Sequence, residues 1–318
     1  YTIREKLVDN LLVLFLVFTG GGLLFVFNRN FMYYTFLAVL IISILLNYHR
    51  IRKDLMNSII FTSISVLVLF LINFFFAISE QSVDKYLYYL TVIMTSVLFY
   101  VHFKNNRSNQ ILLSRLNFIL KLIFFHSLLN FIAYFFVNDQ LSEINSEYYT
   151  CKTYAYLFYY ASDEITLSVM NLFGIEFCRN QGLFWEPGVL QIYLNLFFFL
   201  QAFIFKQNRW LILIGFAILG TYSTTGIIIL IGQLLYLFVQ RFNENKLYLP
   251  IIFLSFIPIY FIFSINLEEK LRGNRIFSFQ KRLFDFTQPI FIAATNPLTG
   301  VGLDLDQFQK LRYEFYID

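Results

Sequence analysis

Arg179 and Glu186 stand seven residues apart in the stretch CRNQGLFWEPG, residues 178–188, directly ahead of a strongly apolar run. Each brings a type of chemistry. A guanidinium offers a planar fork of donors that matches phosphate oxygens two at a time. A carboxylate at a membrane surface is suited to accept a proton from a sugar hydroxyl. Local structure offers competing roles. Pro187, with a fixed φ and no N–H, suits the first turn of a helix. Glu186 then falls at a helix N-terminus, where the dipole favours negative charge. Glu186 is therefore a base or a cap, and Arg179 a phosphate ligand or the ion-pair partner of Glu186. Gly182 and Gly188 permit a tight bend and close packing. Phe184 and Trp185 can pack a sugar ring or a lipid tail, or anchor the segment at a membrane interface.

A second basic group, Lys270, Arg272, Arg275, Lys281 and Arg282, follows residue 266. Arginines converging on one spot hold a diphosphate without a metal; a solvated surface is the alternative. Asp304-Leu305-Asp306 imitates the Asp-x-Asp of metal-dependent glycosyltransferases, but turn residues explain it better. Two cysteines, Cys151 and Cys178, exclude a cysteine-rich metal framework. Both lie in one polar segment, so a disulfide and a pair of thiols are both open. His49 and His102 fall at the ends of apolar runs. His126 is mid-span, grouped with Lys121 and Asn130 on a face read as turned into the bundle. There is no Walker loop and no nucleic-acid signature. No cofactor is expected.

The elements that must position these residues are membrane helices. Of 318 residues 58% are hydrophobic, 21% aromatic and 14% charged, with a net charge of +4 and a mean hydropathy of +0.63. Soluble domains carry roughly 25% charge, so a soluble fold of this length is excluded. A crossing needs about 17–25 residues, and the apolar runs near 9–27, 31–47, 58–78, 86–103, 116–137, 188–205, 210–224, 226–240 and 247–265 are read as crossings, the two in 210–240 being the shortest. The 210–240 region is read as a hairpin turning at TYSTTG (221–226). That puts Lys206, Arg209, Arg241 and Lys246 on one face, as the positive-inside rule prefers. The same rule places the N-terminus in the cytoplasm and the long segments 138–187 and 266–318 outside.

The expected fold is all-α, a polytopic integral membrane helical bundle with two larger external loops. Residues 1–137 form an N-terminal bundle of five spans, and 138–187 the first external loop. Residues 188–265 form four further spans, and 266–318 the second loop. The chain is read as incomplete at its C-terminus, because NPLTG (296–300) is a turn signal within a structured loop.

Three stretches carry a resemblance. RNQGLFWEPG resembles the Arg-x-x-Gly-x-Phe-x-Glu-Pro-Gly stretch of bacterial O-antigen and capsule polymerases of the Wzy type. TYSTTGIIILI (221–231) is similar to their Thr-x-Ser-x-(Thr/Ala)-Gly hairpin, and RLFDF with NPLTGVGLDLDQF (282–308) to the Arg-Leu stretch and Asn-Pro-Leu-x-Gly-x-Gly turn of their last large loop. Many members have an arginine after the hairpin serine, where this chain has Thr224.

The resemblance implies a membrane glycosyltransferase of the inner membrane, active at its outer face. It would polymerise undecaprenyl-diphosphate-linked repeat units into O-antigen (lipopolysaccharide) or capsular polysaccharide, with no cofactor. Glu186, Arg179 and Arg282 would be catalytic. Arg275, Arg272, Lys281, Trp185, Ser223, Thr225 and Asn296 would bind substrate. Partners would be the lipid-linked glycan, membrane lipid, and a chain-length regulator and flippase of the same pathway, with no nucleic acid. An O-antigen ligase acting on lipid A–core is the alternative within the superfamily; it needs a histidine in the large loop. A transporter or flippase of lipid-linked sugars is the alternative outside it.

Overall fold

The computed structural model describes residues 3–46, 53–77, 81–106, 109–145, 150–161, 169–172, 175–242, 276–295 and 300–303, with shorter stretches elsewhere. Its helices are α1 (Ile3–Thr19), α2 (Leu23–Phe27), α3 (Arg29–Leu46), α4 (Lys53–Phe76), α5 (Val83–Asn106), α6 (Asn109–Val137), α7 (Pro187–Phe199), α8 (Leu211–Gly220) and α9 (Thr224–Phe242), followed by a helix over Ile276–Thr295. Among the described residues, five helical segments are long and apolar enough to cross a membrane: Arg29–Leu46, Leu55–Phe76, Val83–Lys104, Asn109–Gln140 and Pro187–Ile204. Large apolar side chains point outward along them, such as Phe61 at 75% and Phe75 at 71% exposure on α4. Water does not tolerate apolar surface on this scale, and lipid does. The fold is an all-α polytopic membrane bundle.

Two helix breaks shape the region around residues 179–188. The first crossing, expected as continuous over 9–27, is interrupted at Gly20–Gly22, between α1 and α2. Gly21 has φ +116°, a conformation that ends a helix and that a Cβ disfavours. The second break, Thr221–Ser223, separates α8 from α9. At 10 residues α8 is about 15 Å long, half of the roughly 30 Å hydrocarbon core. Helix α7 runs on as a π-helical turn, Leu200–Ile204. The crossing expected over 247–265 lies largely outside the described residues, of which 259–265 are helical.

The polar segment after α6 carries strands that hydropathy did not foretell. Strands β1 (Ser142–Asn145), β2 (Thr150–Tyr154) and β3 (Phe158–Ala161) form an antiparallel sheet in that order. β4 (Val169–Leu172) and β5 (Ile175–Cys178) form a separate hairpin leading into the Arg179 stretch. A second unforeseen element is the helix over Ile276–Thr295, in a segment expected to be loop. Its buried residues Gln288 and Ile292 stand four apart on one face, while Phe286, Ile290 and Phe291 are exposed.

The chain forms two compact units, one of residues 1–29 and 113–269, the other of 30–112 and 270–318. In the first, α7 packs against α8 and α9. In the second, α4 packs against α5, and α3 meets α5 through the edge-to-face pairs Tyr33–Tyr88 and Phe36–Phe99.

A candidate site at the docked loop of residues 179–188

The stretch between β5 and α7 is a docked segment with three anchors. The deepest is Asn180, 2% exposed. Its Nδ2 donates to the Ser127 carbonyl at 2.8 Å and to Ser127 Oγ at 2.9 Å. Its Oδ1 accepts from Asn130 Nδ2 at 3.1 Å and from the Gly182 N–H at 3.1 Å. Both amide hydrogens and both lone pairs are used, which is what a buried amide requires. Asn130 is held in turn by Tyr159: it accepts from the Tyr159 N–H at 2.9 Å and donates to its carbonyl at 3.2 Å. The Tyr160 hydroxyl donates to the Asn130 carbonyl at 3.0 Å. Ser127 and Asn130, one turn apart on α6, thus fasten both the sheet and the loop.

The second anchor is the C-terminal end of α8. The last carbonyls of a helix lack intrahelical partners. Here the Asn180 N–H donates to the Gly220 carbonyl at 3.0 Å, and Arg179 Nε donates to the Thr221 carbonyl at 3.2 Å. A cation at a helix C-terminus is also favoured by the dipole. Tyr222 then turns the chain with φ +48°, buried against Phe131, Tyr134, Ile262 and Ile265. Ser223 opens α9: its carbonyl accepts from the Ile227 N–H at 2.9 Å and its Oγ from the Gly226 N–H at 3.5 Å. Arg179 and Ser223 therefore come from distant stretches to one turn. Ser223 is buried, whereas Thr225 is exposed one residue inside α9.

The third anchor is the α1–α2 break. The Leu23 N–H donates to the Leu183 carbonyl at 2.9 Å, and the Trp185 N–H to the Gly21 carbonyl at 3.2 Å. Phe184, wholly buried, stacks between Phe18 at 6.2 Å and Tyr193 at 4.7 Å between ring centroids. It is a core residue, which removes it from sugar or lipid contact. Trp185 is 38% exposed beside Gly21 and keeps an outward surface.

Glu186 occupies the N-cap position of α7 with Pro187 after it. Its backbone carbonyl accepts from the N–H groups of Val189 and Leu190 at 3.1 and 3.3 Å. Its side chain makes no capping hydrogen bond, so capping does not explain why a carboxylate stands here. Below it, Gly226 lets α9 approach α7. A Cβ there would lie 2.9 Å from the Gln191 Cβ and from its Oε1. Asn195, one turn beyond Gln191, donates to Gln191 Oε1 at 3.0 Å and to the Gly226 carbonyl at 3.2 Å.

His126 Nε2 lies 2.8 Å from the Leu157 carbonyl, and its ring stacks on Phe158 at 5.9 Å. A carbonyl only accepts, so Nε2 carries the proton. The expected grouping of His126, Asn130 and Lys121 does not hold. Lys121, five residues before His126, is rotated off that face and lies over the rings of Trp210 (5.5 Å) and Phe125 (5.9 Å). Cys151 and Cys178 are buried thiols with no disulfide between them. Burial pushes the Cys151 thiol up to about 11 and raises the Tyr159 hydroxyl.

In the other unit, the turn of the third motif is held by Gln81, which lies between α4 and α5. Gln81 donates to the Val301 carbonyl at 3.4 Å and accepts from the Leu303 N–H at 2.8 Å. Tyr86 hydrogen-bonds Asn73. Gly302, at φ +85°, has the Gln81 amide where a Cβ would stand, so both conformation and space demand glycine. Lys281 and Arg282 lie on the Ile276–Thr295 helix, with side chains outside what the structure describes. Arg272, Arg275, Asn296, Asp304 and Asp306 lie outside the described residues. A cleft of about 220 Å³ between α4 and α5 is lined by apolar groups such as Leu67, Phe70, Phe74 and Leu87, so it has nothing to bind a phosphate. Among the described residues no cluster of three His, Cys, Asp or Glu side chains is placed to hold a metal.

Several residues of this site carry little signal in the sequence. Asn180 is legible only as a member of the motif. Ser127, Asn130 and Tyr159 give no sign of a shared network, because their partners are 29 to 53 residues away. Set against family models, curated proteins and solved structures, the chain matches none.

Proposed function

We propose that the chain is a membrane glycosyltransferase that polymerises undecaprenyl-diphosphate-linked repeat units at the outer face of a bacterial inner membrane. The observation that carries this reading is the seating of Arg179 on the α8–α9 turn. Two of the stretches that carry the resemblance meet there, joined by Arg179 Nε and the Thr221 carbonyl. Fixing Nε sets the plane of the guanidinium, and the two Nη groups of such a plane form the fork that suits a diphosphate.

In the proposed step, a hydroxyl oxygen of the acceptor sugar attacks the anomeric carbon of the donor glycan. The bond from that carbon to the lipid diphosphate breaks, and the diphosphate leaves with the electron pair. Arg179 stabilises the charge growing on its oxygens. Glu186, exposed and not used as a cap, takes the hydroxyl proton. Trp185 offers its exposed ring to a sugar or the lipid.

The test is an assay with purified protein and a lipid-diphosphate-linked repeat unit. Elongation is the expected result. Transfer only after lipid A–core is added identifies a ligase instead. Movement of the lipid across vesicles without product identifies a transporter.

A further inference from the structure

We infer that Asn180 is a positioning residue for Arg179: it fixes where the guanidinium stands by locking its own backbone to α6 and to the end of α8. The inference rests on the glycosyl-transfer reading and adds a residue to it. Three features separate Asn180 from an ordinary buried amide. It is the immediate neighbour of Arg179 and donates its N–H to Gly220, one residue before the carbonyl that Arg179 holds. Its side chain has no unused hydrogen-bonding capacity, with Ser127 on the donor side and Asn130 and Gly182 on the acceptor side. Its partners are themselves fixed, Asn130 by three bonds to Tyr159 and Tyr160. A guanidinium on a long, flexible stem stabilises a developing charge only where its base cannot move. The network supplies that rigidity from α6, an element that contributes nothing else to the proposed chemistry.

The residue is specific. Aspartate keeps the acceptors but loses both hydrogens to Ser127, and sets a carboxylate against the Ser127 carbonyl. Glutamine moves the amide by one methylene out of a fully used pocket. Alanine strands the Ser127 and Asn130 groups that Asn180 satisfies.

A double-mutant cycle of Asn180→Ala and Arg179→Ala tests the inference, with the full chain in lipid nanodiscs and a lipid-diphosphate-linked repeat unit as donor and acceptor. Asn180→Ala is expected to lower kcat on the order of 10²-fold with KM within about twofold, because the lost interaction belongs to the transition state. It should cost nothing further when residue 179 is already alanine. Equal losses in both backgrounds overturn the inference, since a purely structural asparagine acts whatever stands at 179. If Asn180→Ala does not fold, Ser127→Ala replaces it. That variant removes one of the two acceptors of Nδ2, so a smaller loss in kcat is expected, and none overturns the inference. If the wild-type chain forms no product, the glycosyl-transfer reading fails. In that case, or if Arg179→Ala is too slow to read, positioning is measured by the rate at which phenylglyoxal modifies Arg179, followed by mass spectrometry. A changed rate in Asn180→Ala supports positioning, and an unchanged rate overturns it.

Discussion

Asn180 and Gly220, forty residues apart, are joined by a backbone hydrogen bond of 3.0 Å in which Asn180 donates. Arg179 adds a second bond, from Nε to the Thr221 carbonyl at 3.2 Å. The end of α8 is therefore finished by residues of another segment. The loop and the α8–α9 turn depend on each other, and neither has its geometry alone.

This double duty separates two effects at Arg179. Its capping bond and its charge at a helix C-terminus are worth about 0.3–1 kcal/mol for a half-buried group. Arg179→Ala should therefore lower the Tm in detergent only slightly and leave the protein inserted. Glycan produced with this variant should stop at single repeats. Arg179→Lys keeps a cation but loses the planar fork, so its Tm should match wild type while elongation still fails. Normal chain lengths with alanine would remove Arg179 from the site.

Glu186 gives the opposite pattern. Its carboxylate does not hold the first N–H groups of α7, so Glu186→Gln should leave stability within about 0.5 kcal/mol of wild type, as at other exposed positions. If it is the base, the same variant loses the elongation rate while still binding the lipid-linked donor. Unimpaired elongation by Glu186→Gln would return the residue to a surface role.

The sequence was most informative where one period dominates. α3 to α7 lie close to their expected crossings because a run of apolar residues has few other ways to satisfy its backbone in lipid. It was least informative where the deciding partner is remote. The Gly20–Gly22 break is visible as three glycines, yet its purpose is the strand-like pairing with Leu183–Trp185, more than 160 residues away. The sheet of residues 142–161 has short strands of 4 or 5 residues, too brief for alternation to stand out. The helix over Ile276–Thr295 holds Pro289 inside it, and a proline argues against helix when only the sequence is in view. For the site, Arg179 and Glu186 stood out by type. Asn180 did not, because what distinguishes it is four partners rather than a charge.

Cys151 offers a prediction with a sign. Burial raises its thiol from 9.0 to about 11. The thiolate is the reactive form, so maleimide should label Cys151 of the folded protein very slowly at pH 8 and rapidly once the protein is unfolded. The folded state binds this proton more tightly than the unfolded state. The stability tied to it is thus fully present below pH 9 and lost as pH rises towards 11. Rapid labelling of Cys151 in folded protein at pH 8 would contradict its buried position on β2.

Gly226 tests the packing beneath the site. A methyl group there meets the Gln191 Cβ and Oε1 at 2.9 Å, and α9 cannot yield without breaking the Asn195 bond to the Gly226 carbonyl. Glycine costs up to about 1 kcal/mol relative to alanine in a helix interior, so propensity alone would make Gly226→Ala stabilising. Overpacking costs about 1–3 kcal/mol and should win, giving a lower Tm in detergent. The competing terms separate in a second background. With Gln191→Ala the obstructing Oε1 and Cδ are gone but the Cβ contact at 2.9 Å remains, so Gly226→Ala should lose only part of its penalty. A Tm that rises on Gly226→Ala in the wild-type background would mean that α7 and α9 are not in this contact. The α8–α9 turn that holds Arg179 would then need another support.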